Sequence, residues 1–146
     1  MLIQPQALWC LYNFDHFEEV NNYLCRLGFI LQSNADDIKI YKGKNEVLII
    51  SLLNDAIVQV YYKTVDEQNY LMFINYAKDN LDYVLIHENQ KPTSSFLRYD
   101  DDQHSLIFMV ISVDILTTYT VILQEKLDQS YAVLPDISIG PPPEAI

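Results

Sequence analysis

Glycine is the scarcest structural residue in this chain, with three among 146. So few exclude both a multi-glycine dinucleotide fingerprint and a nest of phosphate-cradling glycines. Basic side chains are also sparse. Nine Lys and Arg stand against twenty Asp and Glu, a formal net charge of -11, and such a field repels phosphate backbones and anionic lipid headgroups alike. Neither a nucleic-acid nor a membrane partner is expected. The two cysteines, Cys10 and Cys25, lack the spacing of a zinc ribbon or a redox pair, and they read as buried thiols of a cytoplasmic protein. No helical membrane span is present either. The most apolar run, Ser105 to Val113 (SLIFMVISV), is about half the roughly 20 residues such a span needs and reads as a core strand. The start, MLIQPQALWCLYNF, has no Lys or Arg before its apolar part and is interrupted by Pro5, so no secretory signal is expected.

What is abundant is apolar and aromatic. Half of the residues are hydrophobic, and eleven are Tyr, too much apolar material for a disordered acidic chain. The length suits one domain. The reading is a single α+β domain over 1–134, with a bent antiparallel sheet and helices at about 15–27, 65–80 and 115–134, followed by a proline-rich tail at 135–146 that is expected to be disordered.

Asp15 with Glu18 forms a capping box, and Phe17, Val20, Tyr23, Leu24 and Leu27 recur at helical spacing before Gly28, which suits a left-handed cap. Residues 7–13 ahead of it fit either a short strand or an extra helical turn. Strands follow at 29–33, 38–41, 47–53 and 56–63, separated by the turn chemistry of 34–37, 43–45 and Asn54-Asp55. Thr64 with Glu67 makes a second capping box for the helix at 65–80, whose buried face is Tyr70, Phe73, Ile74, Ala77 and Leu81. Met72 and Tyr76 fall on its far side and form a candidate self-association or protein-binding surface; the bland reading is that they rest on a neighbouring segment. A strand at 82–87, a polar loop at 88–95 marked by Pro92, and a hairpin of 96–99 with 105–113 come next. Leu116, Tyr119, Leu123, Leu127 and Leu134 follow helical spacing and give the third helix, whereas Thr117, Thr118, Thr120, Val121 and Ile122 equally suit a strand at 117–124.

No catalytic constellation emerges. His16, His87 and His104 are scattered, and no pair has metal-motif spacing. Neighbouring His87 and Glu88 would diverge on a strand. Asp100, Asp101 and Asp102 lack the alternation, central Gly and terminal Glu of a calcium loop and read as a solvated hairpin cap. No Ser sits in a glycine-flanked elbow. Lys39, Lys42 and Lys44 read as protection of an edge strand. No metal, cofactor or catalytic residue is assigned.

The order of elements, with Leu27-Gly28-Phe29 closing the first helix, FINYAKDN (73–80) in the second and FLRYDDDQHSLIFMVISVD leading into the third, resembles the fold shared by class I type III secretion chaperones and YbjN-like proteins. That resemblance implies a small acidic cytoplasmic protein, commonly dimeric, that binds an extended segment of a partner on its apolar surface and performs no chemistry. A second resemblance depends on a strand at 117–124. Leu27-Gly28-Phe29-Ile30-Leu31 and Leu81-Asp82-Tyr83-Val84-Leu85 each follow a helix, so the chain then looks like two βαβββ units of the vicinal oxygen chelate family, in a form without that family's metal ligands. The expected function is a chaperone-like protein-binding module. The alternative is a cytoplasmic inhibitor or immunity protein that blocks a basic enzyme by charge complementarity.

Overall fold

A computed structural model of the chain describes residues 3–14, 16–80 and 82–126. Two helices come first, α1 (Pro5–Tyr12) and α2 (Phe17–Arg26). Four strands follow: β1 (Ile30–Asn34), β2 (Ile38–Gly43), β3 (Glu46–Leu53) and β4 (Ala56–Thr64). Then come α3 (Glu67–Asp79) and four more strands, β5 (Val84–Lys91), β6 (Ser94–Asp100), β7 (His104–Val113) and β8 (Leu116–Glu125). All eight strands form one antiparallel sheet in the order β1-β2-β3-β4-β8-β7-β6-β5. The α+β class and the antiparallel sheet are as expected.

That order is a palindrome of two similar halves. Each half is a helix followed by a four-stranded meander, and the last strands of the two, β4 and β8, pair at the centre. The likeness extends to irregularities. The first strand of each meander carries a register shift, at Leu31/Ser33 in β1 and Leu85/His87 in β5. Phe29 and Tyr83, each just before that strand, are both buried. Both final hairpins turn on two residues, Asn54-Asp55 and Asp114-Ile115, and Asn54, Asp55 and Asp114 have positive φ. Asn and Asp tolerate that region better than other residues carrying a Cβ.

Helix α2 ends in a full Schellman motif. Gly28 takes φ 95°, its N–H donates to Cys25 O, and the Phe29 N–H donates to Leu24 O. Helix α3 starts later than expected: Asp66, not Thr64, is its cap and accepts from the Asn69 N–H, while Thr64 Oγ1 accepts from the Asp66 N–H. Asp15, expected to cap the previous helix, lies outside the described residues, as do Leu81, Leu127, Leu134 and the tail at 135–146.

Two expectations are corrected, and one left open is decided. The helix at 115–134 is instead, over its described part, strand β8, flanked by β4 and β7. Thr120, Val121, Ile122 and Leu123 are buried in succession, one pair on each face, and a strand buried on both faces loses the period-two pattern that would announce it. The β-branched residues decide it. The polar loop at 88–95 is strand as far as Lys91 and again from Ser94, leaving Pro92-Thr93 as the turn. Residues 7–12, left open between strand and helix, belong to α1, which has Pro5 in its first turn. The repeat is therefore αββββ rather than βαβββ, and the closing helix of the chaperone-like order is a strand.

The helices all lie on one side of the sheet. Leu8, Leu11, Val20, Leu24, Tyr70 and Phe73 pack there on Tyr41, Leu48, Ile50, Val60, Tyr62, Leu106, Phe108, Val121 and Leu123. At the start of β3 Glu46 is buried, and its Oε1 accepts from the Tyr62 hydroxyl and from the Ile3 N–H, while Asn69 Nδ2 donates to the same tyrosine oxygen. Burial first, then the adjacent Glu46 carboxylate, pushes Tyr62 far above the ordinary tyrosine range.

Candidate functional site, the helix-free face of the sheet

Strand alternation places the other half of the strand residues on the opposite face. Register makes a row there: Ile40, Ile49, Tyr61, Ile122, Ile107, Arg98 and His87 are cross-strand partners in turn from β2 to β5. The next row is Lys42, Val47, Lys63, Thr120, Met109 and Phe96. Among the described residues no helix or strand lies over this face. Even so, Phe96, Ile107, Met109 and Ile122 form a second buried cluster, with Tyr61 packed against it.

Toward the β7–β8 turn the face opens into a groove of about 610 Å³, lined mainly by Tyr61, Met109, Ile111, Val113, Leu116 and Thr118. Ile115 stands at its end, on the two-residue turn, fully exposed at 103%. Lys63 is the one basic group in the lining. It has no ion-pair partner among the described residues, and burial lowers its pKa. Asp114 of the turn is the one acidic group in the lining; Lys63, which has no ion-pair partner among the described residues, suits an apolar segment that brings one carboxylate.

Near the end of the row, Arg98 forms a buried bidentate pair with Asp100. Nε donates to Oδ1 and Nη2 to Oδ2, both at 2.9 Å, and Ser105 Oγ donates to Oδ1 at 2.7 Å. Only Asp102 of the aspartate run matches the solvated reading. Asp101 accepts from the backbone N–H groups of Gln103 and His104 and lies 3.4 Å from His104 Nδ1. Burial works to raise the Asp101 carboxyl, but those two N–H groups and the imidazole outweigh it and hold it below the usual carboxylate range.

Met72 and Tyr76 lie one turn apart on α3, Met72 exposed and Tyr76 half-buried. Met72 is 43% exposed beside Leu71, whereas the Tyr76 ring meets the Trp9 indole edge-on at 6.3 Å. Trp9 also stacks on Tyr83 and lies 5.9 Å from His104, whose ring meets Tyr12. This aromatic knot fastens α1 to α3 and β7. Within it the Tyr83 hydroxyl is buried without a hydrogen-bond partner among the described residues.

Other expected roles change. Cys10 and Cys25 are exposed rather than buried. Strand β2 is internal, so its lysines do not guard an edge: Lys39 is buried, bonded to Asn34 Oδ1 at 2.6 Å and set over the Phe17 ring. The edges are β1 and β5. Every residue of β5 is exposed, including Val84, Leu85 and Ile86. Among the described residues no three His, Cys, Asp or Glu side chains gather to hold a metal, and no helix is long and apolar enough to cross a membrane. Compared with known proteins, the chain matches no family model, no curated protein and no solved structure.

Sequence reasoning missed the groove because its lining comes from three strands, one of them read as helix. The signal was present in Met109, Ile111 and Val113, which alternate on β7.

Proposed function

We propose that this chain is a non-catalytic protein-binding module that captures an apolar segment of a partner protein in the groove of the helix-free face. The observation that carries the reading is the groove itself, apolar, about 610 Å³, open at the β7–β8 turn and holding one cation, Lys63. Its chemistry favours an extended segment with alternate apolar side chains and a carboxylate. The surrounding charge of -11 steers basic flanks of such a partner toward the rim. The proposed setting is a cytoplasmic protein, as a monomer or homodimer, with Met72 and Tyr76 on α3 as the self-association surface.

The test is selection of displayed random peptides on the full chain, with a counter-screen on the double variant Ile115→Asp, Leu116→Asp. Apolar, carboxylate-bearing peptides are expected, bound at least tenfold more weakly by the variant, a loss of about 1.4 kcal/mol. Absence of enrichment, or binding indifferent to the variant, would contradict the reading. The net charge also supports the alternative of an inhibitor or immunity protein acting on a basic enzyme. That complex would associate more slowly as salt rises, whereas apolar capture would change little.

A further inference from the structure

Charge is sorted between the two sides of the sheet. Among the described residues, the acidic side chains within strands are Glu46, Glu88, Asp100 and Glu125. Three of them alternate to the helix side: Glu46 is buried there, Glu88 is the partner of Leu97, and Glu125 is the partner of His104, whose ring meets Tyr12 of α1. Only Asp100 reaches the helix-free side, where it is bonded to Arg98. By the same register Lys42, Lys63 and Lys91 all fall on the helix-free side, and none has an ion-pair partner among the described residues. A chain of net charge -11 therefore carries, between the turns of this one face, three unpaired lysines and no unpaired acid.

Two of these lysines bracket the groove. Lys91, exposed on β5, is in line with Ser94, Ile111 and Thr118, which are all half-buried and so within reach of a ligand. Lys63 lies on β4, in the row that runs through Thr120, Met109 and Phe96 to Asn89, and Asn89 is two residues before Lys91. In the order β4-β8-β7-β6-β5 the two strands are four spacings apart, roughly 19 Å at about 4.8 Å each, and the offset between rows brings the separation to roughly 20 Å. An extended segment covers that distance in about six residues, an even number, so side chains at its two ends point to the same face.

We propose that the segment captured by the groove is acidic and lies across the strands, with two carboxylates about six residues apart, one over Lys63 and one over Lys91. Apolar side chains between them meet Ile111, Met109 and Leu116 of the groove. This rests on the reading of the groove as a partner site and adds the charge, span and lie of the partner segment. Lys42, two strands beyond Lys63 in the same row, extends the cationic flank. Acid elsewhere on the surface disfavours such a segment at other places, so the lysines select where it docks. Basic flanks drawn to the rim are compatible with an acidic middle.

The experiment takes peptides selected from a random display library on the full chain, synthesised as such and with each carboxylate in turn replaced by its amide. Their affinities are measured on the full chain, on Lys91→Met and on Lys78→Met, the last an exposed lysine of α3 that serves as a control of equal charge. Enriched peptides are expected to carry two acidic residues about six positions apart around an apolar middle, and Lys91→Met to weaken them about three- to fivefold, as an exposed ion pair allows. On Lys91→Met one amide replacement should then cost nothing further while the other keeps its full effect. Lys78→Met should bind as the unaltered chain does. Enriched peptides that lack the acidic pair, or a loss on Lys91→Met no larger than that on Lys78→Met, would overturn the proposal and leave the groove reading standing. If no peptide is enriched at all, the groove reading falls and the proposal falls with it.

Discussion

At the scale of single residues, the Arg98–Asp100 pair is the costliest set of groups on the helix-free side. Both charges are buried, and Ser105 adds a third hydrogen bond to the carboxylate. Breaking such a pair from one side leaves an uncompensated buried charge, so Asp100→Asn or Arg98→Met is expected to lower stability by about 3–5 kcal/mol. The double change Arg98→Met with Asp100→Leu should recover a large part of the loss. Urea unfolding followed through Trp9, the sole tryptophan, measures both. Equal destabilisation by the double and the single variants would show that the pair is not the unit argued here.

The tyrosines set a second residue-scale behaviour. Burial raises Tyr41, Tyr62, Tyr70 and Tyr83 well above the ordinary value of 10.0. In the unfolded chain these groups ionise near that value, while in the folded chain they keep their protons, so above it the native state binds more protons than the unfolded state. Stability from this source is fully present below pH 10 and declines as pH rises beyond it. Tyrosinate absorbance is expected to show a fraction of the tyrosines titrating only as the fold is lost. A smooth titration of all eleven centred at pH 10, with native circular dichroism retained, would contradict that.

At the scale of elements, β5 is the exposed liability. An edge strand with open N–H and C=O groups and three exposed apolar residues in sequence is a template for pairing with another chain. Ile86→Lys is expected to reduce concentration-dependent association while changing the melting temperature little, as surface substitutions usually do. Light scattering against concentration checks it, and unchanged association would move the contact to Met72 on α3.

Element legibility followed the surroundings of each segment. Helix α2 was readable because its apolar stripe and Gly28 agree, and β7 stood out as an apolar run between turns. Strand β8 was not, because a central strand buried on both faces presents Thr120 to Leu123 as a block whose spacing also fits a helix. Its turn hid too: Asp114 takes a positive φ without any Gly to mark it. The half of the sheet that carries the groove therefore stayed out of sight, as did the bonding of Asp100 and Asp101, which depends on partners brought by hairpin register.

For the whole molecule, two αββββ halves joined through β4 and β8 place three helices on one side and leave on the other a row that is apolar or aromatic from Ile40 to Ile107 and ends in Arg98 and His87. The first half's row stays half-buried, the second half's is buried on β6, β7 and β8 and exposed on β5, and a groove with one lysine lies beside the buried patch. The central claim is that this groove is where a partner segment docks. The direct measurement is a methyl spectrum of the full chain titrated with a peptide selected on it. Shifts are predicted at Met109, Ile111, Val113, Ile115 and Leu116, with Leu8, Leu24 and Leu48 under the helices unmoved. Shifts centred on Leu71 and Met72 of α3, or on β5 alone, would contradict the account.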